Sequence, residues 1–214
     1  MNEQSTVSEP TFIFHITELG NLASIACHGL FANSRIQDEG IEYVNIAYAG
    51  LQDRRAATEV PIAPYGCLHE YVPFYFAPRS PMLYTISRGN VPGYQRGQAT
   101  VLHLVSTVQL IANANISFVF TDGHAIVAIT NFYNRISDLE NIDWDVMRSN
   151  YWSEVTDFDR RRRRQAEFLV YQRVPQSLLM GIGVLNREIA EQARIILSRA
   201  GLDIPVRVRR NWYY

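Results

Sequence analysis

Seven short runs rich in β-branched and aromatic residues limit what this chain can fold into. They are TFIFHI (11–16), VPFYF (72–76), TVLHLVS (100–106), ISFVFTD (116–122), AEFLVYQ (166–172), MGIGVL (180–185) and the closing IPVRVRRNWYY. Helical patterns fall between them at irregular intervals. Thr17 reads as the cap of ELGNLASIACHGL, in which Leu19, Leu22, Ile25 and Ala26 form one apolar stripe and Gly29 ends the helix. A short helix is expected around LQDRRAATEVP, and Ser80-Pro81 opens another with proline at its first position. A helical turn is expected over 107–113, helical stretches in AIVAITNFYNRI and DLENIDWDVMRSNYW, and an amphipathic helix in NREIAEQARIILSRAGL. Residues 31–50 lack periodicity and read as a long loop, a feature that usually serves function. Regular βαβ alternation is missing, as are GxGxxG and GxxxxGK[ST], which excludes a doubly wound nucleotide-binding sheet and a P-loop. The expected class is α+β with a mixed or antiparallel central sheet. With 47% hydrophobic and 19% charged residues, one domain over 11–214 is expected behind a flexible tail at 1–10.

All 20 basic residues are arginine, and their placement is uneven. Residues 1–159 hold 8 Arg against 17 acids, a net of −9, whereas residues 160–214 hold 12 Arg against 4 acids, a net of +8. The overall charge of −1 therefore hides a basic last quarter that includes the run Arg160 to Arg164. Genome composition accounts for a global lack of lysine, so only the placement is informative. Guanidinium binds phosphate through two donors and stacks on bases. Cys27 and Cys67 make no disulfide framework, which fits a reducing cytoplasm. No leader pattern or membrane-length apolar run is present, so no membrane association is expected. The five histidines lack HExxH or similar spacing, and no metal is expected.

No GxSxG motif supports acyl chemistry. Glu167 is the leading candidate for chemistry, because it stands at the mouth of an apolar strand directly after the arginine run. Its plain alternative is a surface pair with Arg164. His15, within an apolar strand, reads equally as a hydrogen-bonded core residue, and Arg54 and Arg55 as solvated helix residues. Val72, Phe74 and Phe76 share a strand face and read as core, while Tyr71, Tyr75 and Tyr84 offer stacking faces beside Arg79. Residue by residue, the reading ends at an α+β domain with a candidate nucleic-acid-binding surface.

Several strings, in order from about Pro10, carry a resemblance: FHIT followed by NLxxIxxxGL, QDRR at 52–55, LHEYVPFYFAPRSPMLY at 68–84, FVFTDGH at 118–124, QAEFLVY at 165–171 and the closing WYY. Together they resemble DarT, a family of bacterial toxins that modify DNA. The resemblance implies an ADP-ribosyltransferase fold, NAD as co-substrate, and transfer of ADP-ribose to a base of single-stranded DNA, thymine in the most similar members. It also implies a macrodomain antitoxin that removes the modification. Carried over, Glu167 matches the catalytic glutamate and Arg55 the catalytic arginine. His15, Ile16 and Thr17 match the segment that holds NAD, Asn21 and Ser24 lie on the helix that follows, and His124 matches a position on the acceptor side. The DNA strand is then expected to meet Tyr75, Arg79, Tyr84, Tyr151 and Trp152, with arginines of 160–164 and 207–210 on its phosphates. EVTDFDRRRRR is richer in arginine than the family pattern, which puts sequence preference in doubt. Competing readings are a protein-directed transferase or NAD glycohydrolase on the same fold, and a non-catalytic single-strand-binding domain.

Overall fold

A computed structural model of the chain describes residues 9–152 and 154–214; most of the expected tail, residues 1–8, lies outside them. The chain opens with β1 (Phe12–Glu18), α1 (Leu22–His28), β2 (Leu30–Phe31), α2 (Asn33–Asp38) and α3 (Ala49–Ala57). Then follow β3 (Tyr71–Tyr75), α4 (Pro81–Ser87), β4 (Val101–Thr107), α5 (Val108–Asn113), β5 (Phe118–Thr121) and β6 (Phe132–Tyr133). The last part holds α6 (Trp144–Arg148), α7 (Arg160–Arg163), β7 (Glu167–Tyr171), β8 (Arg173–Val174), β9 (Gly181–Val184), α8 (Arg187–Arg199) and β10 (Val206–Val208). Eight strands form one sheet in the order β10-β9-β4-β1-β3-β7-β5-β6, and β2 pairs with β8 apart from it. Among the described residues only β10 and β9 run parallel; the other pairings are antiparallel, so the expected α+β class with a mixed sheet is observed.

Strand alternation sends one set of side chains, including Ile13, Val72, Phe74, Leu102, Leu104, Phe168 and Val170, into the main core with Leu22 and Ile25 of α1 and Ala190 and Ala193 of α8. Each large apolar side chain buried there contributes about 1.5–3 kcal/mol of transfer free energy. Elsewhere two smaller clusters form, one around Ile16, Leu83, Tyr94 and Val101, the other around Leu68, Tyr71, Val119 and Leu169. Tyr71 is therefore core and offers no stacking face. Glu167 belongs to the same strand face as Leu169, two residues on, and pairs across β3 with Tyr75.

Several local expectations are corrected. Thr17 stays in β1, and the cap is Glu18, whose carboxylate accepts from the Gly20 amide before a 3-10 turn leads into α1. The loop expected over 31–50 contains the end of β2, the whole of α2 and the start of α3, leaving irregular chain at 39–48. AIVAITNFYNRI is not helical: Asp122 binds both the amide and the side chain of Asn131, and Thr130 donates to the His124 carbonyl. Such local bonds favour turns over helix. The closing segment leaves the sheet after Val208. Trp212 lies over Gly183 and packs edge-on against Phe14 and His103, while the Tyr213 hydroxyl donates to the Val101 carbonyl at 2.7 Å. No helix among the described residues is long and apolar enough to cross a membrane.

A Cβ added at Gly183 would collide with the Trp212 ring. Gly183→Ala should cost about 1–3 kcal/mol by overpacking, read as a lower urea midpoint at unchanged m-value, and the further change Trp212→Leu should recover part of it.

Candidate active site

The register pair Phe14↔Tyr75 is the one that joins β1 to β3 among the described residues, and a cleft opens where the two strands diverge. The His15 ring crosses part of this gap through Nδ1, 2.7 Å from the Pro73 carbonyl. Desolvation lowers its pKa to about 4, so the ring is neutral near pH 7. Asn21, on the turn before α1, gives its amide to Thr17 Oγ1 and the Val44 carbonyl, both at 3.0 Å, and accepts from the Val44 amide at 2.7 Å. The irregular stretch 39–48 is thereby fastened beside the cleft, which Tyr43, Val44 and Asn45 help to line.

Glu167 begins β7 and is 3% exposed. Both its oxygens are occupied. Oε2 accepts from Arg55 Nη1 at 2.7 Å, and Oε1 accepts from the Ala125 amide at 3.1 Å and His124 Nδ1 at 3.2 Å. Its own amide donates to Thr121 Oγ1, which ties the start of β7 to the end of β5. Burial alone would push this carboxyl up, but the Arg55 guanidinium and then the His124 hydrogen bond hold it down at about 2. The surface pair with Arg164 is not formed. Arg55 lies in the last turn of α3, buried rather than solvated, and its Nη2 has no protein partner among the described residues. Beside the cleft, such an orphaned donor suits an acceptor atom of a bound molecule.

The structure gathers His15, Ile16, Thr17, Asn21, Ser24, Arg55, Tyr75, His124 and Glu167 around this one cleft. Arg79, Tyr84, Tyr151 and Trp152 do not line it. Three of them belong to an adjoining aromatic cluster, in which the Tyr84 ring meets Trp152 at 5.5 Å and Tyr214 at 5.2 Å, and the Arg79 guanidinium lies 5.4 Å from the Tyr214 ring. Tyr151 is 80% exposed. Residues not singled out from sequence also line the cleft, among them Gln52, His69 and Met82. Gln52 had a usable signal, since it lies one helical turn before Arg55, and it binds His69 Nε2 at 3.1 Å.

The basic run does not form the expected phosphate track. Arg162 pairs with Asp122 and Asp159, Arg163 with Asp143 and Asp157, and Arg160 with Glu154. Arg164 is buried against backbone carbonyls, which leaves Arg161 exposed, 5.7 Å over the Trp152 ring. The acids of EVTDFD are thus the partners of the run that follows them. Arg207 lies on the edge strand β10, with β9, β4, β1 and β3 between it and β7. At strand spacing that is about 24 Å, too far to share a groove mouth with Glu167.

Solved structures of a Thermus sp. 2.9 protein share this arrangement of strands and helices. Its complex with ADP-ribosylated ssDNA superimposes with a TM-score of 0.91 at 39% identity, covering 96% of this chain and 97% of that one. Its complex with NAD+ gives 0.87 at 37% identity, over 98% and 100% of the two chains. The likeness to a protein solved with NAD+ and with ADP-ribosylated ssDNA, together with a family match over residues 14–214, places this chain among the ADP-ribosyltransferases. A Thermus aquaticus protein described as a DNA ADP-ribosyl transferase is 44% identical over 210 residues, 96% of this chain and 90% of the relative. Residues 14–214 match the family model described as "ssDNA thymidine ADP-ribosyltransferase, DarT", and the chain belongs to the DarT family. A more distant relative from Thermosipho africanus, 24% identical over 194 residues that make up 90% of this chain and 47% of its own length, is described as a fusion of the transferase with a DNA ADP-ribosyl glycohydrolase.

Arg55→Ala leaves the Glu167 carboxylate buried beside His124 without its guanidinium. At pH 7 the variant should lose about 3–5 kcal/mol of unfolding free energy. An acid whose folded pKa is depressed stabilises the fold above its unfolded value, and that contribution fades as the pH falls from about 4.5 toward about 2. In the variant burial raises the same carboxyl, so urea unfolding of both proteins should show the gap narrowing as the pH falls from that raised value through 4.5 toward about 2.

Proposed function

We propose that this chain transfers ADP-ribose from NAD to thymine in single-stranded DNA, with Glu167 and Arg55 as its catalytic pair. The observation that carries the reading is the buried Glu167 carboxylate, kept ionised by Arg55 at the floor of the cleft. NAD supplies the ADP-ribosyl group when its ribose–nicotinamide bond breaks and positive charge develops on the ribose. A fixed carboxylate in a dry site stabilises that charge strongly, and Glu167 can also accept from a ribose hydroxyl once Arg55 or His124 yields an oxygen. His15, Ile16 and Thr17 on β1, with Asn21 and Ser24 beside them, form the wall assigned to NAD. The unpartnered Nη2 of Arg55 fits an acceptor on nicotinamide or base. Arg55 works as a donor, stabilising the negative charge that develops on the thymine as the N3 proton passes to solvent and N3 bonds to the ribose carbon that nicotinamide leaves. In a duplex N3 is paired, which favours single-stranded substrate.

Tyr75 and His124, at the Glu167 end of the cleft, are assigned to the acceptor base. Arg79, Tyr84, Tyr151 and Trp152, on the adjoining surface, are assigned to flanking nucleotides through stacking and phosphate contact. The Thermosipho africanus fusion, which joins the transferase to a DNA ADP-ribosyl glycohydrolase, supports a toxin–antitoxin role in which a macrodomain antitoxin reverses the modification; the cytoplasm is the compartment assigned to this pair.

Incubation with NAD and oligonucleotides, followed by mass spectrometry, tests the proposal. A gain of one ADP-ribose on single strands that contain thymine is expected, with much slower gain on duplexes. Gain on the protein alone would contradict it. Glu167→Gln should lower transfer on the order of a thousandfold. Arg55→Lys should lower it on the order of a hundredfold, because an ammonium lacks the planar fork.

A further inference from the structure

Three consecutive backbone carbonyls on the turn between β3 and α4 are each held by a side chain from a distant part of the chain. The Pro78 carbonyl accepts from His103 Nε2 at 3.0 Å. The Arg79 carbonyl accepts from Arg164 Nη2 at 2.8 Å and Nε at 3.1 Å. The Ser80 carbonyl accepts from the Tyr214 hydroxyl at 3.3 Å. The donors lie 25, 85 and 134 residues from their acceptors, on β4, just before β7, and in the closing aromatic segment. Pro78 and Arg79 are half-buried and Ser80 is buried, and the Ser80 carbonyl also accepts from the Tyr84 amide at 3.1 Å, so the turn is tied both into α4 and to these distant donors.

The donors are themselves costly to place. His103 is fully buried between the rings of Trp212 and Tyr213, and desolvation lowers its pKa to about 4, so it donates as a neutral ring. Arg164 is 4% exposed and, unlike Arg160, Arg162 and Arg163, meets no carboxylate among the described residues. Its remaining donor, Nη1, goes to the Val146, Met147 and Ser149 carbonyls at the end of α6. A buried cation balanced only by carbonyl dipoles adds little net stability. What it does supply is a fixed distance between the turn and Glu167, three residues further along the same segment.

The turn carries the side chain of Arg79, and Ser80 Oγ caps α4 by accepting from the Leu83 amide at 3.1 Å. Met82 of that helix reaches the cleft, and Tyr84 stands in the aromatic cluster. We infer that His103, Arg164 and Tyr214 are positioning residues that lock the 78–80 turn, so that Arg79 and Tyr84 meet the DNA strand at a set distance from Glu167. This rests on the assignment of Arg79 and Tyr84 to DNA. Loosening a brace weakens capture of the strand and leaves the handling of NAD alone.

Tyr214→Phe, which keeps the ring and removes the hydroxyl, and Arg164→Lys, which keeps the charge and loses the fork, provide the test. KM for a thymine-containing single strand should rise about fivefold in the first, the worth of one net hydrogen bond, and about tenfold or more in the second. KM for NAD, and kcat at saturating DNA, should stay within about twofold of the parent values. An unchanged KM for DNA in Tyr214→Phe overturns the inference, and so does a parallel rise in KM for NAD. If Arg164→Lys does not fold, Tyr214→Phe decides alone. Arg79→Ala and Tyr84→Ala separate DNA contact from bracing of the turn. If they leave KM for DNA unchanged, the DNA assignment fails. If they raise it while Tyr214→Phe does not, only the bracing fails.

Discussion

The ion pair between Arg55 and Glu167 is the constraint on which the rest of the site depends. A carboxylate that is 3% exposed at the start of a sheet strand would be neutral without compensation, and a neutral acid cannot stabilise positive charge on a ribose. Compensation comes from elements far apart in sequence: a guanidinium from α3, an imidazole from the turn after β5 and the Ala125 amide next to it. None of these partners is worth much alone in water. Inside the cleft, each strengthens the others because water is excluded.

The division of the molecule follows from that requirement. The main core, with α1 and α8, holds the sheet rigid, and Glu167 faces away from it, beside two smaller apolar clusters and the mouth left where β1 and β3 separate. The basic last quarter then takes on a meaning its charge did not announce. Most of the run from Arg160 to Arg164 is consumed in ion pairs and carbonyl contacts that fix the segment leading into β7. Arginine suits that task because one planar group can satisfy several carbonyls or carboxylates at once.

Much of this was legible in sequence. The strand runs over 11–16, 72–76, 100–106, 116–122 and 166–172 all lie in the sheet, because β-branched and aromatic alternation is a local signal. The class and family followed from strings spread along the whole chain. What local pattern could not show was pairing at long range. Arg55 and Arg54 look alike in QDRR, and only the fold turns one into the cleft and leaves the other exposed. Charge counting likewise could not tell an arginine that meets DNA from one that meets Asp122 or Asp143. The stretch 125–136 misled because its apolar residues match a helix, whereas Asp122 and Thr130 commit it to turns.

The measurement closest to the central claim is the titration of the Glu167 carboxyl by carbon-detected NMR, in the parent protein and in Arg55→Met. The account predicts a midpoint at about 2 in the parent and one above the ordinary carboxylate range in the variant, where burial acts with less opposition. A midpoint near 4.5 in both proteins would show that Arg55 does not hold the charge on Glu167, and the proposed basis of catalysis would fall with it.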